Sequence, residues 1–354
     1  MKKQLIIIVL CIIAIIFSCN QPGKNETTTT SATTQPEDST LIIARNYFKP
    51  LPDVAENKEN MITPEKVKLG KLLYYDTRLS KTGNNSCNSC HNLAANGVDN
   101  LATSIGDAGK RGTRNSPTVF NAALHNMQFW DGRAKDVEEQ SGMPVLNSVE
   151  MAIPNKEFLM KRLDTIRLYQ DMFKAAFPGK ANSVTYENLQ KAIAAFERTL
   201  LTPSRFDKFM QGDKNALSAE EKTGLSTFIA SGCISCHNGV GIGGGSLMKF
   251  GLVTDYRTLT KSTMDDKGRE NVTKNKEDNH VFKVPGLRNV QGTYPYFHDG
   301  SIATLDSAVK IMSKAQLNKN LSDKEIKDIV AFLNATSGDI NADAKAVPPE
   351  LFIK

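Results

Sequence analysis

The sequence is poor in several features that would assign it to a large class of proteins. No stretch of lysine and arginine interleaved with aromatic residues is present, and the formal net charge is only +6 over 354 residues, so nucleic-acid binding has no support. The longest N-terminal apolar run, from Leu5 to Phe17, has 13 residues, whereas a membrane-spanning helix needs about 20. Strand-like alternation is scarce as well. These absences favour a mostly helical protein that does not cross a membrane.

The N-terminus has the organisation of an export signal. Two lysines precede the apolar run and Ser18-Cys19 follow it, as in a secretory signal peptide; a single membrane-spanning helix is the alternative. The segment IFSC resembles a bacterial lipobox, which implies removal of residues 1–18 and lipid attachment to Cys19. Residues 19–45 are mostly polar and are predicted to form a flexible tether. We therefore expect a periplasmic lipoprotein held at a membrane.

Cysteine occurs six times, and four of the six lie in two copies of one short motif. SCNSCHN (86–92) and GCISCHN (232–238) each carry two cysteines, two residues apart, with a histidine directly after. A zinc ribbon would place its pairs about 15–20 residues apart, and a thioredoxin-like pair would need a βαβ setting, which neither copy has. Attachment of c-type haem explains the histidine, which binds the iron while two thioethers hold the porphyrin. We predict two haem c groups, bound by Cys87, Cys90 and His91 and by Cys233, Cys236 and His237.

The surroundings of the motifs indicate an internal duplication of a helical domain. A helix is predicted to start at Thr63-Pro64, before the first motif, and another at the capping box Ser218–Glu221, before the second. Apolar residues at helical spacing predict further helices over 186–201 and 323–334. We expect a mostly α fold with little strand, in which two cytochrome c-like haem domains pack together, over residues 46–203 and 204–354.

Two other features near the second motif leave alternatives open. The stretch 238–245 contains G-x-G-x-x-G, but a dinucleotide site would need a preceding strand and a following helix, so a flexible loop beside the second haem is preferred. A methionine as second axial ligand would suit an electron-transferring haem. Spacing alone does not choose among the candidates, because most methionines fill cores; they are Met248, Met264 and Met312.

Beyond the haem motifs, residues 101–151, VPGLRN (284–289) and TYPYFHDGSIATLDSAVKIM (293–312) strongly resemble the bacterial dihaem cytochrome c peroxidases. The resemblance extends from about residue 45 to about residue 335, and RNSPTVFN and FWDGRA are quite specific stretches. It implies reduction of hydrogen peroxide at the haem on His91, with electrons entering through the haem on His237. A small c-type cytochrome or a cupredoxin is the expected donor, and homodimerisation is an expectation from the family alone.

The resemblance also implies roles for individual residues. It makes Met312 the second axial ligand of the C-terminal haem and places Trp130 between the haems, where spacing alone would favour core packing. Glu150 and Gln140 match the residues over the peroxidatic iron, where a carboxylate can act as general base and then general acid; spacing alone would make Glu150 a surface residue. A calcium ion between the domains is implied, bound partly through backbone carbonyls, at Asn115, Thr293 and Pro295.

The sequence departs from the family in the loop after the first motif. Many members carry a histidine there, which caps the peroxidatic iron until the other haem is reduced; the matching residue here is Asp107. We expect an open or water-bound iron and little or no reductive activation. A buried carboxylate at this position would need a partner, such as Lys110 or Arg111.

Four further residues have no firm assignment. His125 could replace the missing iron ligand, although a partly exposed helix residue is the preferred interpretation. Met143 lies beside Gln140, where it could narrow the pocket or be oxidised. The sequence gives no chemical role to His280 and His298.

Two other functions would explain two haems. A non-enzymatic electron carrier would want both irons six-coordinate and would have no use for Glu150 or Gln140. A related dihaem oxidase, which matures tryptophan-derived quinone cofactors in a partner protein, also lacks the distal histidine. That group is expected to carry a tyrosine in place of Met312, so the methionine argues against it.

Overall fold

The computed structural model describes residues 38–352, so the predicted signal peptide, the lipidation site Cys19 and most of the predicted tether lie outside the described residues. The described chain is mostly helical, and the expected fold class is confirmed. Within it, no helix is both long and apolar enough to cross a membrane. The α-helices are Ser39–Ala44 (α1), Pro64–Tyr75 (α2), Cys87–Cys90 (α3), Val137–Leu146 (α4), Lys156–Asp164 (α5), Arg167–Ala176 (α6), Tyr186–Glu197 (α7), Arg205–Met210 (α8), Ala219–Ala230 (α9), Tyr256–Thr260 (α10), Glu270–Thr273 (α11), Leu305–Leu317 (α12), Asp323–Ala335 (α13) and Ala342–Lys345 (α14).

The described strands form one small antiparallel ribbon. Leu247–Lys249 (β1) pairs with Val281–Lys283 (β2), and Leu247 lies opposite Lys283. Met248 and Lys283 of the ribbon line the same cavity as the second Cys-x-x-Cys-His motif. It is the only multi-residue sheet in residues 38–352.

The helices predicted from capping residues start where the sequence indicates. Thr63 caps α2 by accepting a hydrogen bond from the backbone N–H of Lys66, and Pro64 takes the first helical position. The Ser218–Glu221 capping box forms at the start of α9. Local hydrogen bonds of this kind involve neighbours in sequence, which is why the sequence predicts them well.

Two helix pairs, α2 with α7 and α9 with α13, form the frame of the two halves. Each pair is in close contact at a glycine. A Cβ on Gly70 would overlap the carbonyl oxygen of Ala192, and a Cβ on Gly224 would overlap that of Asp328. The matching contacts support the internal duplication inferred from the haem motifs.

Replacing Gly224 by alanine should destabilise the protein, although alanine is the better helix former by about 1 kcal/mol. The new methyl group meets a backbone carbonyl that cannot rotate away, so α9 and α13 must separate; overpacking of this kind costs about 1–3 kcal/mol. Chemical denaturation of Gly224→Ala and of Ser226→Ala, on the exposed face of α9, measures the effect. Equal stability of both variants would contradict the close packing.

Each half of the molecule completes its core with residues from the far end of the chain. The core around α2 and α7 includes Ile340 and Ala344 from the C-terminal segment. The core around α9 and α13 includes Leu41 and Phe48 from the N-terminal segment. Ser39–Ala44, assigned above to the tether, are therefore helical and pack through Leu41 and Ala44, and the terminal segments cross between the halves.

Candidate functional site

The first Cys-x-x-Cys-His motif is held by a short helix. Ser86 caps α3, which carries Cys87 and Cys90, and His91 ends it. The Nδ1 atom of His91 lies 3.0 Å from the carbonyl oxygen of Pro117, so Nε2 is the ring nitrogen left for a metal. Burial lowers the pKa of His91, which favours the neutral imidazole that binds iron.

The second motif opens into an apolar cavity of about 210 Å³. Cys233 and Cys236 line it together with His237, whose pKa is lowered by burial to about 4. Met312 of α12 and Met248 of β1 line the same cavity, whereas Met264 does not. Two thiols, a neutral imidazole and a thioether around one apolar space fit a covalently bound haem.

No disulfide competes with haem attachment in residues 38–352. The four cysteines of the two motifs are all free and partly buried. Burial raises the pKa of Cys233 and Cys90, in each case to about 11. The motifs thus present thiols rather than oxidised pairs.

Two similar turns connect the halves and carry the predicted residues Trp130 and His298. Residues 115–134 and 283–302 have equal spacing of Pro117 and Pro285, Asn121 and Asn289, and the sequences FWDG and FHDG. In both turns the asparagine before a short 3₁₀ helix and the phenylalanine before Trp130 or His298 have positive φ. The backbone N–H of Asn115 donates to His298 O at 2.8 Å, and reciprocally Lys283 N–H donates to Trp130 O at 2.6 Å. The two turns are therefore related by a local pseudo-twofold arrangement.

Trp130 lies at the centre of this arrangement. Its indole N–H donates to the carbonyl oxygen of Asn115 at 2.9 Å, and its ring contacts that of His298 edge-on, with centroids 6.3 Å apart. Trp130 and Met312 pack against the same small aromatic cluster. The tryptophan thus lines the second cavity, and its acceptor Asn115 is two residues before Pro117, the hydrogen-bonding partner of His91.

Glu150 and Gln140 belong to α4 and the turn that follows it. Gln140 is on that helix and is partly buried, while Glu150 is in the turn that follows and accepts a hydrogen bond from the Asn147 amide at 2.7 Å. Burial raises the pKa of Glu150 above 4.5, although nearby Arg133 and the bond from Asn147 act in the opposite direction. A partly buried carboxyl with a raised pKa suits proton transfer.

Asp107 has other partners than the predicted ones. Its carboxylate accepts hydrogen bonds from the hydroxyls of Ser80 and Thr82, both at 2.8 Å, and from the backbone N–H groups of Thr82 and Asn84. Arg111 instead donates to the Thr103 carbonyl. Burial raises the pKa of Asp107, but these hydrogen bonds outweigh it and the net pKa lies below 3.8. Three of these donors bind Oδ1 and one binds Oδ2, so four protein groups hold the carboxylate in place.

The Asp107 loop is also fixed to the turn that carries Glu150. The backbone N–H of Asp107 donates to the Glu150 carbonyl at 2.7 Å. A Cβ on the neighbouring Gly106 would overlap the carbonyl oxygen of Val149. The loop around Asp107 is thus tied at both its side chain and its backbone.

His125 lies beside the second motif. It follows a short 3₁₀ helix and lines the same cavity as His237. The glycine-rich stretch 238–245 packs around it: a Cβ on Gly244 would overlap the imidazole, and one on Gly286 would lie 2.6 Å from its Nε2. Residues 241–244 are buried, so the loop predicted to be flexible is instead a packed cradle for this side chain.

The three residues matched to a calcium site all line the second cavity. The amide nitrogen of Asn115 donates to Leu101 O at 2.9 Å, which leaves its oxygen for another partner. Within residues 38–352, no hydrogen bond reaches the carbonyl oxygens of Thr293 and Pro295. Carbonyl and amide oxygens are the kind of ligand that calcium prefers.

Three buried polar residues were missed or left without a role. Lys283, buried at 5% exposure, lines the cavity and was not singled out, although alignment of the two turns would have placed it opposite Asn115. His298 is enclosed by aromatic rings, with Phe282 stacked on it at 4.2 Å. His280 packs edge-on against Tyr256, away from both motifs in sequence.

The sequence matches the family described as di-haem cytochrome c peroxidase over residues 64–215 and the cytochrome c family over residues 222–337. It is 47% identical over 282 residues to cytochrome c551 peroxidase of Nitrosomonas europaea, covering 78% of this chain and 82% of the relative. It is 46% identical over 299 residues to cytochrome c551 peroxidase of Pseudomonas aeruginosa, covering 83% and 85%.

A solved structure shows the same architecture. The crystal structure of a MauG-like protein associated with microbial copper homeostasis has a TM-score of 0.74 and 26% sequence identity, and covers 85% of this chain and 97% of that one. The peroxidase relatives are thus clearly more similar in sequence than this neighbour. The chain carries two haem c motifs in two helical halves and is closely similar to these peroxidases. It therefore belongs to the family of dihaem cytochrome c peroxidases.

Proposed function

We propose that this peroxidase reduces hydrogen peroxide to two water molecules, with two electrons from a small redox protein. The observation that carries the proposal is the pair of unlike environments. One motif lies near the partly buried carboxyl of Glu150, and the other opens into an apolar cavity with a thioether. The haems, when bound, supply an iron that reacts with peroxide and a second iron that stores an electron.

The protein's own contribution is proton transfer and positioning. Glu150 takes a proton from one peroxide oxygen and delivers it to the other, so that the O–O bond breaks with a water as leaving group. The Asn147 amide orients its carboxylate, and Gln140 offers a second polar group on α4. Trp130 packs on the same cluster as Met312 and hydrogen-bonds to Asn115, two residues from the partner of His91, and these contacts support a role in coupling the two haems.

We propose further that the enzyme works without reductive activation. Four protein donors already hold the Asp107 carboxylate and tie the loop in one position, which supports a carboxylate that does not bind the iron. His125 is held against the second motif by Gly244 and Gly286, so it does not replace the missing histidine. The peroxidatic iron would then be open or water-bound in the fully oxidised protein.

The oxidised enzyme should therefore show a high-spin EPR signal from one haem and react with peroxide at once, without a reductant. Asp107→His should introduce a lag that pre-reduction removes, because it supplies an imidazole and releases the loop. Asp107→Asn, which releases the loop without an imidazole, is the control and should show no lag. Two low-spin haems and a lag in the unmodified protein would contradict the proposal.

The electron donor is inferred from the relatives, and the calcium ion from oxygen atoms that no hydrogen bond reaches within residues 38–352. The relatives are named as peroxidases of cytochrome c551, and we assign a small c-type cytochrome as donor here, with a cupredoxin as the other candidate. Calcium would be bound by Asn115, Thr293 and Pro295, whose oxygens are free for it. A periplasmic location, lipid attachment at Cys19 and homodimerisation are part of the same proposal.

The two alternative functions have less support. A carrier gains nothing from a carboxyl with a raised pKa near the first motif. The dihaem oxidase is expected to have tyrosine where this chain has Met312, and the MauG-like neighbour is only 26% identical.

A further inference from the structure

Lys283 is a buried cation in an otherwise uncharged cavity. Among the described residues that line the second cavity, it is the only lysine, arginine, aspartate or glutamate. Lys283 is only 5% exposed. Within residues 38–352 no carboxylate forms an ion pair with it, and its one hydrogen-bonding partner is the Nδ1 atom of His125 at 3.1 Å. A buried ammonium without an anion is costly, by several kcal/mol.

His125 holds the lysine in place. Burial lowers the pKa of His125 well below 6.5, and Lys283 nearby lowers it further, so the imidazole is a neutral acceptor. Burial also lowers the pKa of Lys283, to about 8, which leaves the ammonium protonated at neutral pH. Gly241, Gly244 and Gly286 leave room for the ring. The pair is thus a built site, with the ammonium as donor.

The position of this pair in the repeat is informative. Counting from Trp130 and His298, Lys283 corresponds to Asn115, and His125 corresponds to Thr293. Asn115 and Thr293 are two of the residues assigned to calcium. The pair therefore takes the positions in the second turn's pattern and the first's that correspond to two of the residues assigned to calcium.

We propose that Lys283, positioned by His125, is the counter-ion of a propionate of the C-terminal haem and raises the reduction potential of that haem. The proposal rests on the proposed placement of a haem between His237 and Met312. A haem c carries its negative charges on two propionates, and these are the anions that this cavity would receive. A fixed positive charge near the iron favours the ferrous state, because the ferric state carries one more positive charge.

Spectroelectrochemical titration of the holoprotein tests this. Lys283→Met should lower the ferrous-to-ferric ratio of the methionine-ligated haem at least tenfold at a fixed potential, which is 59 mV for a one-electron couple. Lys283→Arg should keep the potential near that of the unmodified protein. Lys249→Met removes an exposed charge from the same ribbon and should change the ratio little. His125→Phe should shift it in the same direction as Lys283→Met, and His125→Asn, which keeps an acceptor, should restore it in part.

Three other outcomes would separate the role of Lys283 from the placement of the haem. If Lys283→Met matches Lys249→Met, or if only the other haem shifts, the role of the lysine is overturned while the haem placement stands. If the unmodified protein lacks the absorption band of a methionine-ligated ferric haem, the placement fails and the lysine's role with it. If Lys283→Met and Lys283→Gln both fail to retain the haem while Lys283→Arg retains it, the requirement for charge is supported.

Discussion

Replacing Glu150 by glutamine should lower kcat for peroxide by about 10²–10⁴-fold, the usual contribution of a positioned general acid–base group. Glutamine has nearly the same shape and can still hydrogen-bond to Asn147, but it cannot take up or release a proton. The midpoint potentials of both haems should change little. Steady-state turnover and a redox titration on the same sample measure both quantities.

The pH profile separates loss of the proton from loss of structure. A general base must be ionised, and burial raises the pKa of Glu150 above 4.5. In the unmodified enzyme, kcat/KM should therefore fall on acidification at a higher pH than an ordinary glutamate would give. Glu150→Gln should lose that acid limb, whereas Glu157→Gln, at an exposed position of α5, should keep both rate and limb. Undiminished turnover in Glu150→Gln would make the electron carrier the better account.

The sequence predicts best what depends on neighbours along the chain. The haem motifs are complete within a few residues, and the caps at Thr63 and Ser218 use backbone groups three positions away. The family resemblance adds residues that are far apart in sequence, and the structure brings Trp130, Met312 and His237 to one cavity. Gln140 lies on α4 and Glu150 in the turn after it, but no hydrogen bond joins their side chains among the described residues.

What the sequence does not predict depends on distant partners. The donors to Asp107 come from the 80–84 segment, so a search among nearby charges chose Lys110 and Arg111 instead. The burial of Lys283 depends on how the cavity closes around β2, and an isolated F-K-V segment gives no sign of it. The terminal segments cross because each packs its apolar residues into the core of the other half, and those cores exist only once the chain has folded.

Replacing Asp207 by asparagine should lower the free energy of unfolding by about 3–5 kcal/mol, the cost of leaving a buried charge without its partner. Asp207 accepts two hydrogen bonds from Arg288, at 2.9 Å each, and Arg288 is only 2% exposed. The same carboxylate accepts from Leu51 N–H at 2.8 Å, and Arg288 donates to Val240 O at 2.6 Å. One ion pair thus ties the N-terminal segment to the loop that follows His237.

The exposed pair Arg167–Asp171 provides the matched control, because its side chains are 83% and 57% accessible and such pairs contribute about 0–1 kcal/mol. Denaturation at neutral pH should show that Asp171→Asn is nearly as stable as the unmodified protein and that Asp207→Asn is strongly destabilised.

The pH dependence of stability separates charge from packing. Burial raises the pKa of Asp207, but Arg288 and the hydrogen bonds lower it below 3.8 overall. The stabilisation is therefore complete above the unfolded pKa and is lost as pH falls through the folded one, so the gap between Asp207→Asn and the unmodified protein should narrow in acid. A gap that stays constant with pH would assign the loss to packing and not to charge. The pair also fixes the loop around His125. Asp207→Asn should therefore change the reduction potential of the second haem more than that of the first.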